Sequence, residues 1–167
     1  KSHIEQTVDL PIAEGITNSL EAYKYFILSN NSSIHKEEID FLNKAVQIDE
    51  EFVYAHMGLY GRYLITNNQE GFLKHLSHAV KNINKLSEEY KFFVRIDESI
   101  LDQEHHREKE KQILDMWIEL YPEAIKPLQI LAGRHEMNSE PDKAIYYYKK
   151  ILEITPEMHE YLLSIGF

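Results

Sequence analysis

Nine histidines are the side chains in this sequence best suited to chemistry. His75 and His78 stand three residues apart, so on a helix they share a face. Asp102-x-x-His105, with His106 beside it, sets a carboxylate and an imidazole one turn apart. Spacings of this kind serve di-metal helical bundles, which pair Glu-x-x-His motifs from two helices with further glutamates. Here no Glu-x-x-His recurs and no HExxH is present. The chain has no Cys, which removes disulfide frameworks, thiol catalysis and Cys-ligated zinc. G-x-S-x-G, GxGxxG and the phosphate-binding loop are also absent. The carboxylates fall on faces that read as solvent-facing. The expectation is a non-enzymatic chain without metal or cofactor, its histidines on the surface or between helices. The enzymatic alternative, an all-α hydrolase or metal-dependent enzyme, would require a tightly bound stoichiometric metal.

Charge narrows the partners. A formal net charge of −10 argues against nucleic acid, because neutralising phosphates takes basic patches. Acidic side chains concentrate between residues 97 and 123, read either as a solvated helix face or as a docking surface for a basic partner. No apolar run approaches the roughly 18 residues of a membrane span, so no membrane partner is expected. The first residues, KSHIEQ, show neither an initiator Met nor a signal-peptide core, and the chain reads as a piece of a longer protein. A cytoplasmic setting is favoured over a periplasmic one.

Few glycines and prolines interrupt the chain, 6 and 5 respectively, and apolar residues recur at helical spacing throughout. Ser19 offers an N-cap to a run carrying Ala22, Tyr23, Phe26 and Ile27, which a polar loop over 29–33 breaks. Further helices are predicted over 36–47, 52–65, 71–83, 87–102, 106–120, 124–136 and 142–154, with a short tail helix over 158–164. No segment alternates with period two over a convincing length. The fold class is all-α.

The helices pair into a repeat. In the last pair Leu128, Leu131, Ala132 and His135 on one helix are followed by Ala144, Tyr148 and a terminal Pro156. The pair before it carries Val94, Leu101, Leu114, Trp117 and Pro122 in the same register. The second has Leu59, Tyr63, Phe72, Leu76 and Ala79, and the first Ala22, Tyr25, Leu42 and Ala45. With Ser19, Val53, Lys91 and Ile125 as first positions, the spacings are 34, 38 and 34. About four extra residues are expected near Asn82 to Glu89. This pattern resembles the tetratricopeptide repeat, W-x2-L-G-x2-Y followed by A-x3-F and P with a period of 34. Asp97-Glu98 stands where the pattern takes Leu-Gly. Ile16 to Tyr23, Lys44 to Phe52 and Leu86 to Glu89 look similar to bacterial repeat regions appended to signalling or regulatory domains, although Glu50 stands where Pro usually follows Asp49.

The resemblance implies an N-terminal extension over 1–18 and a repeat domain over 19–167. The units would be 19–52, 53–90, 91–124 and 125–156, closed by a terminal helix over 157–167. Antiparallel pairs would stack as an α-solenoid, a right-handed superhelix with a concave groove that holds a peptide or a partner helix. Helical spacing projects Tyr23, Ile27, Tyr54, Met57, Leu64, Phe92, Arg95, Lys126 and Gln129 into that groove. Chaperone-binding relatives grip a terminal carboxylate with Lys, Asn and Arg. The equivalent slots here match at one of five positions at best, so that function is not expected. Two alternatives accompany peptide docking. Val8, Leu10, Pro11 and Ile12 could cover the apolar half of the groove, or the chain could form a homodimer through Tyr161, Leu162, Leu163, Ile165 and Phe167.

Overall fold

The computed structural model describes residues 16–159. Among them are eight α-helices and no strand: α1 Leu20–Asn31, α2 His35–Ile48, α3 Val53–Ile65, α4 Gln69–Lys81, α5 Glu88–Ser99, α6 His106–Leu120, α7 Ile125–Met137 and α8 Pro141–Ile154. The predicted bounds hold closely, with two exceptions. Helix α1 continues through Asn31 into the predicted polar loop, and α5 stops at Ser99, short of its predicted end. Val8, Leu10, Pro11 and Ile12 of the extension, and the tail helix from residue 160 on, lie outside the described residues. A 3-10 turn, Ile83–Lys85, occupies the site of the expected insertion. It carries Lys85 to Glu51, 2.6 Å away.

Caps explain several boundaries. Ser19 Oγ accepts from the Ala22 N–H and Asn68 Oδ1 accepts from the Gly71 N–H, each satisfying a first-turn donor that the helix itself leaves open. Pro141 opens α8, where a missing N–H costs nothing.

The chain divides into two compact units, Lys1–Leu101 and Asp102–Phe167. In the first unit each helix packs on its chain neighbours. The pairs run antiparallel: Thr17, just before α1, donates to Asp49 at the end of α2, and Arg62 near the end of α3 meets Glu38 near the start of α2. Two apolar clusters form the interior. Ala22, Leu42, Ala45, Phe52, Ala55 and Leu59 make one, and Val53, Tyr60, Phe72, Leu76, Ala79, Leu86 and Val94 the other. Helix α3 feeds both, which is why its sequence is apolar on more than one face. The Tyr60 hydroxyl reaches this interior bonded to Asp97, and burial, then that carboxylate, holds it protonated. Asp97 therefore stands in an apolar slot because it satisfies a buried phenol.

In the second unit Leu128, Ala132, Ala144, Tyr148 and Ile151 form the cluster between α7 and α8. Ala144 lets the helices approach and Tyr148 fills the space beside it, as expected. Leu114 and Trp117 on α6 are buried as well. Leu101, read as a core position, is instead half exposed, because α5 has ended at Ser99 and a turn carries the residue outward.

A longer recurrence appears once the elements are in place. Laying Val53 on Ile125 aligns α2, α3 and α4 with α6, α7 and α8, and the bounds of α3 and α7 then coincide. The turn after α3 places Asn67 at φ 55° and the turn after α7 places Ser139 at φ 59°. Asn68 N–H donates to Tyr63 O at 2.9 Å, and Glu140 N–H to His135 O at 2.8 Å. Gly61-Arg62 corresponds to Gly133-Arg134. Each arginine reaches a glutamate on the helix before its own, Glu38 on α2 and Glu110 on α6.

Two glycines of the first unit should respond oppositely to alanine. A Cβ on Gly71 would lie 2.6 Å from the Tyr63 ring, whereas one on Gly61 meets nothing within 4 Å. Gly71→Ala is expected to lower stability by about 1–3 kcal/mol through overpacking. Gly61→Ala should raise it by up to about 1 kcal/mol through helix propensity. Thermal denaturation of the two variants checks both signs.

Candidate functional site

Two polar features of the first unit lie where apolar packing would be the default. The first is a cleft of about 250 Å³ lined by Ser29 and Asn30 of α1, Glu38 and Leu42 of α2, and Met57, Gly58, Gly61, Arg62 and Ile65 of α3. Glu38 is 7% exposed, a costly place for a carboxylate unless it is paired. Its Oε2 takes Arg62 Nε at 2.8 Å and His35 Nδ1 at 3.0 Å. The floor is bare because Gly58 has no side chain to project, and Leu42 already fills the space a Cβ there would need. Gly61 leaves open space beside it. The volume lies below the roughly 300–1,000 Å³ of pockets that enclose a small molecule.

The second feature is a histidine cluster between α3 and α4. His56 Nδ1 and His75 Nδ1 are 2.8 Å apart, and His56 Nε2 is 3.1 Å from Glu50 O. A carbonyl only accepts, so His56 carries its proton on Nε2 and donates it there. His56 Nδ1 is then an acceptor, and His75 must donate from its own Nδ1. A proton added to His56 Nδ1 would face the His75 N–H and break the bond between the rings, and burial holds both rings neutral. His78 stacks on His56 at 3.7 Å between centroids, with its Nε2 buried and unbonded. Tyr63 stacks on His75. Burial, followed by the neighbouring His78, brings His56 down to about 4, against the Glu50 carbonyl, which favours the protonated ring. Burial, then Lys74 and His78, brings His75 to about 4 as well. His78 is lowered by burial, then by Lys81 and Lys85.

The sequence pairs His75 with His78 and leaves out His56, which lies on the facing helix. Among the described residues no group of three or more His, Asp or Glu is arranged to hold a metal ion. Asp102 is instead engaged by Lys109 at 2.7 Å and His105 at 3.4 Å, and its carboxyl sits near 2 because Lys109 and the His105 N–H donate to it.

The predicted groove residues divide by environment. Tyr23 and Tyr54 are half-buried and pack against the cluster around Leu42, and the Tyr54 hydroxyl also accepts from the Ser87 N–H at 3.2 Å. Met57 is half-buried and lines the cleft. Ile27 and Leu64 are the exposed apolar members. Phe92 is half-buried, and Arg95 pairs with Glu98 at 2.6 Å along α5. Lys126, exposed, and Gln129, half-buried, belong to α7 in the second unit. Sequence reasoning missed Glu38, Arg62 and Asn30. The one available signal was the recurrence of Glu38 and Arg62 as Glu110 and Arg134.

No family model matches the chain, and no curated protein is similar to it in sequence. No helix among the described residues is long and apolar enough to cross a membrane.

The histidine pair makes stability depend on acid. An unfolded imidazole titrates near 6.5 and the folded pair near 4, so the unfolded chain binds more protons between those values. The contribution is complete above about pH 6.5 and is lost as the pH falls toward 4, a change on the order of a few kcal/mol after allowance for solvent screening. Denaturant titrations across this window should show the fall. The double variant His56→Leu/His75→Leu should flatten it.

Proposed function

We propose that this chain is a helical-repeat module of the tetratricopeptide kind, stacked as a right-handed solenoid, and that it docks a segment of another polypeptide. In a larger protein of bacterial type it would serve as the scaffold or sensing part, without catalysis of its own. One observation carries the reading. The architecture is repeat-like, and its first-position helices α1 and α3 keep Leu20, Ile27, Leu64 and Ile65 exposed, while the same two helices, through Ser29, Asn30 and Ile65 among others, line a cleft of mixed polarity. Repeat arrays stack each unit on its neighbours and present an extended concave surface to partners. Exposed aliphatic side chains on helices that also line a cleft with polar groups fit polypeptide recognition better than they fit a solvated face.

Tyr54 is a poor probe of docking, because its loss would damage the core. Ile27 and Leu64 can change without opening it. Selection from a random-peptide phage library against the purified chain should enrich a converging set of sequences. Ile27→Glu/Leu64→Glu should weaken those peptides about tenfold or more, ~1.4 kcal/mol, while helical content and thermal midpoint stay unchanged. A library that yields no converging sequence, or peptides indifferent to the double variant, removes the docking reading.

A further inference from the structure

The cleft over Gly61 has donors and acceptors left over, and their pattern specifies a ligand. Arg62 spends Nε on Glu38 and keeps both Nη groups without a partner among the described residues. Glu38 takes its two contacts on Oε2, leaving Oε1 to accept. The Asn30 side chain in the same wall makes no bond to the other described residues. Since the arginine and glutamate charges cancel, a free carboxylate gains little here, and a chain of net charge −10 repels it further. What fits is an uncharged group that accepts from guanidinium and donates to carboxylate within a short span. The peptide group does both. Leu42, Met57 and Ile65 supply apolar lining, which suits the side chain between two peptide groups, and the Ser29 hydroxyl is spent on Phe26 O.

We propose that this cleft binds one aliphatic residue of an extended polypeptide by its flanking peptide groups. Arg62 Nη donates to a carbonyl and Glu38 Oε1 accepts from an N–H. The inference deepens the docking reading and rests on it for the source of the polypeptide. The second unit supplies a contrast. Arg134 turns both Nε and Nη2 onto Glu110 Oε1, at 3.1 and 2.7 Å, so that copy keeps only Nη1 of its fork, and Ile130 stands at the position of Gly58. The Glu38–Arg62 pair is the open copy.

The probe is N-acetyl-leucine N-methylamide, one aliphatic residue with both peptide groups and no charge. Titrated into 15N-labelled protein, it should shift the Gly58 and Gly61 amides and the Arg62 Nε–H saturably. The dissociation constant should be on the order of millimolar, as its size allows. Gly61→Leu projects a side chain into the open space and should abolish those shifts while keeping or raising the thermal midpoint. Arg62→Gln, which removes the fork without filling the cleft, should weaken binding about tenfold. Resonances that do not move, shifts that survive in Gly61→Leu, or binding unchanged in Arg62→Gln would each overturn the proposal. Library peptides that bind Gly61→Leu as they bind the parent would also count against the cleft while leaving docking intact. Diamide binding in a chain that enriches no peptide would uphold the cleft and sink the docking reading.

Discussion

Gly58 has no side chain, and Leu42 stands where one would be. A Cβ at that position would approach Leu42 Cδ2 to 2.8 Å. With Ala22, Ala45 and Ala55 fully buried around it, this near-contact fixes how closely α2 can lie on α3. Close-packed interiors tolerate little change in volume, so the spacing propagates. It seats Phe52 under the cluster, sets Glu38 within reach of Arg62, and leaves the floor of the cleft bare. The polar site is thus a by-product of a packing decision made by small residues.

The helices are legible in the sequence because their apolar residues recur at helical spacing and their ends carry Ser, Asn and Pro at capping positions. Ser19 is a direct instance, whereas Pro141 opens its helix one residue before the predicted start. Small-on-large packing is legible too, since Ala144 and Tyr148 stand at fixed offsets in a repeat. The cleft is hidden for a physical reason. Glu38 and Arg62 lie on different helices, and neither residue type in isolation distinguishes a buried ion pair from two solvated charges. His56 escapes in the same way: its partners His75 and His78 are neighbours on their own helix, but nothing local announces that a third imidazole faces them. Leu101 is misread because the repeat register carries α5 past Ser99, where the helix in fact stops.

The two copies of the three-helix segment have diverged where polarity is concerned. Positions 56 and 75 are histidines in the first copy, and their counterparts are Leu128 and Tyr147. Gly58, which opens the cleft, corresponds to Ile130. The backbone turn, the Gly-Arg step and the glutamate partner are common to both, while the side chains that line the openings differ. A left-handed residue after the middle helix of each copy supplies the turn at modest strain, tolerated at Asn67 and less naturally at Ser139.

Helix α3 contributes Ala55 and Leu59 to one interior cluster and Val53 and Tyr60 to the other. Neither cluster keeps its shape if α3 leaves, and α3 has no independent surface to which it could retreat. The helices of the first unit that share it are therefore thermodynamically tied. Slow amide exchange across α1 to α5 should report one opening event rather than a graded peeling from either end, so that within this unit a repeat assembled from separable pairs melts as a single cooperative block.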